Sequence, residues 1–212
     1  LQEILGKEGL SKVAYDAVMR MILARELSAG EVLQERRLAE ALDMSRTPVR
    51  EALRQLEAES WLVRLSARTI AVKRVSLDEY ISALQVRELI EPEAAAIAAV
   101  KAEPGMIRNC RQQLQELMEA TKPSPNQQWE FDQALHLGIA NATHNKVLAK
   151  IVTELRKTTQ LFENQTLPAR TSPGHDEHLA IIDAIEQRDP EAARLAMQVH
   201  LRQTKRNILD AL

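Results

Sequence analysis

The sequence predicts a mostly α-helical protein in two parts: three helices with a small β-hairpin, then an all-α antiparallel bundle of about six helices. Three observations carry this. Apolar residues recur at helical spacing through most of the chain. One stretch, "WLVRLSARTIAVKRV", suits two short strands instead. Breakers such as Pro104-Gly105 cut everything after residue 76 into helix-length pieces.

The first helix is expected over 11–26, where Val13, Ala14, Val18, Met21, Ile22 and Leu23 share helical spacing. "LSAGEVL" interrupts it, and a short helix follows in "QERRLAEALD". Asp43-Met44 makes a tight turn, Ser45 is the expected N-cap, and Pro48 sits in the first turn of a helix that buries Val49, Leu53 and Leu56. Leu62, Val63, Ile70, Val72 and Val75 then suit two strands around a polar tip at 66–68. Helix, helix, turn, helix, hairpin is the order of a winged helix-turn-helix.

Ser76 and Glu79 form a capping box that opens the second part. Helical patterns follow at roughly 77–102, 104–121, 125–143, 145–166, 175–188 and 190–211, with "KPSP" at 122–125 and "LPARTSPG" at 167–174 as further breakers. Asp189-Pro190 reads as N-cap and first residue of the last helix. The boundaries expected are 1–75 for a DNA-binding domain and 76–212 for an all-α effector-binding and dimerisation domain.

Composition limits the function. The 212 residues are 45% hydrophobic and 27% charged, enough for two modest cores. A net charge of −2 argues against a polycationic nucleic-acid binder, but residues 1–76 hold 13 Lys and Arg against 11 Asp and Glu, and residues 77–212 hold 15 against 19. Anion binding therefore leans to the first part. Cys110 is the lone cysteine, expected buried and inert. No apolar run approaches a membrane span and "LQEILGKEGL" lacks a signal-peptide core, so a cytoplasmic protein without a membrane partner is expected.

Arg46, Thr47 and Arg50 crowd the opening turns of the third helix, where the helix dipole is already positive. A negative partner belongs there. In a helix-turn-helix the second helix enters the major groove N-terminus first, so these residues meet bases and phosphates, while Arg36 and Arg37 on the preceding helix reach the backbone. The plain alternative is a solvated basic face, with Arg50 paired to Glu51 or Glu57. "LQERRLAEALDMSRTPVREAL" and "MSRTPVREALRQLEAESWLV" resemble the DNA-binding signature of the GntR superfamily of bacterial transcription regulators. The resemblance implies DNA contacts by Arg36, Arg46, Thr47 and Arg50. Two departures stand out: Ser60 replaces the family's usual glycine, and Arg68-Thr69 replaces an Arg-Gly at the wing tip, which leaves open whether the wing contacts DNA.

Asp132 and His136 are four residues apart on one helix and share a face. His178 and His200 each lie 11 residues from Asp189. In an antiparallel helix pair that puts them at one height, roughly 16 Å into the bundle. One carboxylate and three imidazoles suit Zn, Ni, Mn or Fe(II) with positions left open. Spacing alone leaves a second reading, histidines satisfied within the core. "EFDQALHLGIANATHN" and "HDEHLAIIDAIEQRDPEAARLAMQVHL" are similar to the FCD effector-binding domain of the FadR branch, which implies Asp132, His136, His178 and His200 as metal ligands. Leu135 stands where the family commonly has Phe. His175 is a possible substitute ligand but reads as a surface residue, and His144 suits a helix C-terminus.

In such domains the metal's free positions meet a small carboxylate effector. "VRELIEPEAAAIAA" resembles the stretch whose arginine holds that anion, implying Arg87, whose alternative is an ion pair with Glu91. Asn207, seven residues past His200, shares its helical face and is a second effector-binding candidate. The function expected is a ligand-responsive homodimeric regulator, read as a repressor, that binds operator DNA and answers to a small organic acid at a divalent metal, zinc first. Alternatives are a structural or metal-sensing site, or a metal-dependent hydrolase, against which no general acid or base stands out.

Overall fold

The computed structural model describes residues 7–120, 125–166 and 174–211. The N-terminal residues 1–6 and most of the two polar breakers, at 122–124 and 167–173, lie outside them. Among the described residues the order is α1 (Lys7–Leu23), β1 (Val32–Leu33), α2 (Glu35–Ala41), α3 (Arg46–Ala58), β2 (Leu62–Ser66), β3 (Thr69–Val72), α4 (Leu77–Lys101), α5 (Pro104–Glu119), α6 (Pro125–Ala142), α7 (Lys146–Thr166), α8 (His175–Glu186) and α9 (Pro190–Asp210). Two compact units form: Leu1–Val75 with Asn164–Thr166, and Ser76–Glu163 with Leu167–Leu212.

In the first unit α1 packs on α3. Ala14, Ala17, Val18 and Ile22 bury one face of α1, and Val49, Ala52, Leu53 and Leu56 bury one face of α3. Asp43, at a positive φ of 50°, turns the chain between α2 and α3. Ser45 takes the N-cap position with extended backbone, yet its hydroxyl makes no cap bond, contrary to expectation. The helix is held from its packed face, including Pro48, which is buried in its first turn.

The hairpin is larger than expected. β2 and β3 pair antiparallel, and β1 adds to the far side of β3 to give the order β1-β3-β2. Gly30, at a φ of 80°, turns "LSAGEVL" so that its amide donates to the Val72 carbonyl at 2.9 Å. A two-residue strand is too short to show alternation in a sequence, and so it read as a break. At the wing tip the Ser66 hydroxyl donates to Thr69 Oγ1 at 2.8 Å and accepts from the Arg68 amide at 3.3 Å.

The second unit begins with the expected capping box: the Glu79 amide donates to Ser76 Oγ at 3.2 Å, and the Ser76 amide to Glu79 Oε2 at 2.8 Å. Asp189 caps α9 by accepting from the Ala192 amide at 3.0 Å. α4 packs on α6, α8 and α9, while α5 packs on α6 and α8. Ala94, Ala95, Ala98 and Ala99 give α4 a small-residue face that brings its backbone close to a core including Leu135, Ile181 and Leu201. Cys110 is buried there. Among the described residues no helix is long and apolar enough to cross a membrane.

Ser60 carries a local cost. The Trp61 amide bonds the Leu56 carbonyl at 2.9 Å and the Ser60 amide bonds that of Glu57 at 3.0 Å, a Schellman end that requires the left-handed φ of 65° found at Ser60. A β-carbon there is unfavourable by roughly 1 kcal/mol. Ser60→Gly is therefore expected to stabilise the first unit by about that amount. Urea unfolding followed at Trp61 in a Trp129→Phe background checks it; an unchanged or lower midpoint contradicts the assignment of strain.

Candidate functional site

Arg36, Arg46, Thr47 and Arg50 are all exposed in the first unit. The partner of Arg50 is neither Glu51 nor Glu57. Its Nε donates to both Glu35 oxygens, at 3.2 and 3.0 Å, and Arg46 Nη2 lies 3.5 Å from the same carboxylate. Glu57 instead pairs with Arg64, and Glu51 accepts from Ser11. On a helix the residue next to Arg50 points away from it, whereas Glu35 on α2 faces the start of α3. Glu35 thus draws two arginines of the α3 N-terminus together while both side chains stay exposed. Arg36 keeps an exposed pair with Glu40 at 3.7 Å.

In the second unit, Asp132 and His136 on α6, His178 on α8 and His200 on α9 come together. Each is buried, and one ligand atom from each lies within 4.8 Å of the others. His136 Nε2 stands 3.2 Å from His200 Nε2, His178 Nε2 3.1 Å from Asp132 Oδ1, and His136 Nε2 3.7 Å from that oxygen. Donors that share an ion at bond lengths of about 2.0–2.2 Å stand roughly 3–3.6 Å apart, close to these spacings. The cluster is a buried Asp/His₃ set that can hold a metal ion.

The surroundings aim it. Glu91 on α4 accepts from His136 Nδ1, which fixes the proton on that nitrogen and turns the Nε2 lone pair toward the cluster. Burial, reinforced by the Arg156 charge and only partly offset by Glu91, pushes the His136 imidazole down to about 4, so the ring is neutral at neutral pH. Burial also opposes ionisation of Glu91, but Arg87, His136 and Arg156 outweigh it and hold its carboxyl far below the usual range. Arg156 on α7 grips Asp132 from outside, Nη2 donating to Oδ2 at 2.5 Å, which leaves Oδ1 facing the histidines. Nearby, Tyr80 donates to buried Glu163 at 3.2 Å.

The remaining candidates take varied places. Arg87 is buried, its Nε bonded to Glu91 and its Nη1 donating to Thr159 at 3.0 Å, so the ion pair weighed as the alternative is present. Asn207 is half-buried and accepts from Gln203 at 2.7 Å. His175 is half-buried rather than a surface residue, with Nε2 unpartnered among the described residues. His144 is exposed, at a positive φ of 59° just past α6. Sequence reasoning missed the positioning role of Glu91 and all of Arg156, Thr159 and Glu163. Only Glu91 left a signal, its i+4 spacing from Arg87.

The FCD domain family model matches residues 82–203, and that of bacterial regulatory proteins of the gntR family matches residues 10–72. The Uxu operon transcriptional regulator of Escherichia coli (strain K12) is 32% identical over 216 residues, covering 90% of this chain and 83% of its own. The Glc operon transcriptional activator of the same strain is 29% identical over 230 residues, covering 95% and 89%. Among solved structures, E. coli McbR/YncC superposes with a TM-score of 0.77 over 95% of this chain and 97% of that one; at 21% identity this likeness speaks to the fold.

Glu91 is the residue whose loss should be felt twice. Glu91→Gln leaves the Arg87 charge without its buried partner and frees the His136 ring to turn. Zinc affinity, measured by competition with a chromogenic chelator, is expected to fall about 10–100-fold. Parent-like affinity would show that His136 is oriented without it.

Proposed function

The chain belongs to the gntR family of bacterial regulatory proteins and carries an FCD domain, and from that premise we propose a regulator whose DNA affinity is set by a small carboxylate bound at a metal in its second unit. It is a DNA-binding transcription regulator and not an enzyme. We assign DNA reading to residues 1–75, with Arg36, Arg46, Thr47 and Arg50 at the DNA. Residues 76–212 bind effector and dimerise, and the site of action is the cytoplasm. Asp132, His136, His178 and His200 hold the ion, zinc first, with nickel, manganese or iron as alternatives. Arg87 and Asn207 are candidates beside the effector.

The observation that carries this reading is the pairing in one chain of an exposed arginine face at a helix start with a buried, aimed Asp/His₃ cluster. A divalent ion there supplies a Lewis acid for a carboxylate oxygen. The protein's part is to hold the ligand atoms, through Glu91 and Arg156, and to keep water away. Helix-turn-helix heads read half-sites in pairs, which calls for a homodimer. An apolar stripe on α4, with Val86, Leu89, Ile97 and Val100 exposed, supports one. The effector then acts by binding one arrangement of the paired heads better than another. We take the protein as a repressor that releases its operator on binding effector. The Glc relative is an activator, which favours a second reading, with the opposite sign at the promoter.

Two measurements test the assignments. Arg46→Ala is expected to lose about 1–3 kcal/mol of operator affinity and to relax preference at one base position, read by fluorescence anisotropy across a set of operator variants. A uniform loss across all sequences makes Arg46 a phosphate contact. For the metal, elemental analysis of purified His136→Ala beside the parent should show most of the bound ion gone; equal metal content removes His136 from the ligand set.

A further inference from the structure

We infer that Glu35 is a specificity-determining residue of the DNA head, holding Arg46 and Arg50 for base edges and away from the phosphates. The inference rests on the reading above that the start of α3 meets DNA.

The geometry is a cluster of three charges across two helices. Arg46 and Arg50 are one turn apart at the start of α3, and Glu35 opens α2. Arg50 Nε donates to both Glu35 oxygens, at 3.2 and 3.0 Å, and Arg46 Nη2 stands 3.5 Å from the same carboxylate. Two cations that would otherwise repel each other share one anion. Glu35 is kept in place by more than these partners. It is the acid of the first turn of α2, where Gln34 makes no side-chain cap bond and the helix dipole favours a carboxylate. Leu38 and Ala39 are buried and α2 packs on α3, so the carboxylate has a fixed base.

The bonds discriminate between two ways of meeting DNA. Arg50 is held through Nε, which leaves its Nη1–Nη2 edge for an acceptor and turns that edge one way. Such an edge matches the paired O6 and N7 acceptors of guanine. A phosphate contact makes the opposite demand, since an arginine follows the backbone by swinging on its flexible stem. To do so Arg46 and Arg50 must leave Glu35, whose charge also repels the phosphates they move to. A base contact made with the cluster intact carries neither penalty. Each exposed pair is weak, but an operator is chosen by the ratio of specific to nonspecific affinity, and a small bias against phosphates acts at every competing site.

The test uses the full chain, a duplex that it enriches from a randomised library, and a duplex of equal length and scrambled sequence. Affinities come from fluorescence anisotropy over a salt series. Glu35→Gln is expected to bind the scrambled duplex about threefold tighter, with a salt dependence steeper by about one phosphate contact, and to lower the ratio of selected to scrambled affinity about tenfold. Glu35→Asp keeps the charge but shortens the reach, and its ratio should fall about threefold. Arg50→Ala is the reference for the head itself, and should weaken the selected duplex about tenfold. An unchanged ratio in Glu35→Gln, or the parent ratio in Glu35→Asp, overturns the inference and leaves Arg46 and Arg50 at the DNA. If Arg50→Ala binds both duplexes as the parent does, the placing of this face at the DNA falls and the inference falls with it.

Discussion

Five acidic and arginine side chains and three imidazoles lie inside the helical core of the second unit, and that core tolerates them because each is bonded to a partner. Taking one partner away from a buried ion pair costs about 3–5 kcal/mol, since the survivor keeps its desolvation penalty and loses its compensation. Glu91 shows how the bonds are shared. One oxygen takes Arg87 from its own helix, and the other takes the His136 ring from α6. Asp132 repeats the device, with Arg156 on one oxygen and His178 on the other. Well-packed apolar residues would stabilise the bundle at least as well, so charges kept here at such cost are better explained by what they bind than by what they hold together.

The first unit solves the opposite problem at its surface. Cations at the start of α3 are repelled by the helix dipole, and no cap bond from Ser45 offsets this. Glu35 does so in part, drawing Arg46 and Arg50 onto one carboxylate. Exposed pairs of this kind are worth little in stability, which is what suits them to be exchanged for phosphate or a guanine edge. The same residue types therefore serve different ends. In the core a pair fixes geometry, and at the surface it leaves the cations exposed.

What could be read from the sequence follows from this division. The Asp132–His136 spacing and the equal distances of His178 and His200 from Asp189 are helix arithmetic, readable within one turn and within one helical hairpin respectively. The caps at Ser76 and Asp189 were legible for the same reason. Arg156 and Glu163 were not. They reach the cluster from α7, and no period in the sequence encodes which helix of a bundle lies across from which. The acid that Arg50 meets, Glu35, lies on α2 fifteen residues away, so the alternative pairing with Glu51 or Glu57 on its own helix is not the one formed. β1 escaped because two residues cannot display an alternation.

A metal and an anion that share this core are bound to act on one another. Asp132 gives the cluster a carboxylate that would draw a cation, and the charge of that cation would in turn draw an anion. Coupling between two binding equilibria is reciprocal, so whatever the ion contributes to anion affinity the anion contributes to retention of the ion. Ligands that bind only the folded unit also stabilise it, and together they stabilise it by more than either does alone. On the proposed reading, sensing of the anion would therefore depend on holding the metal.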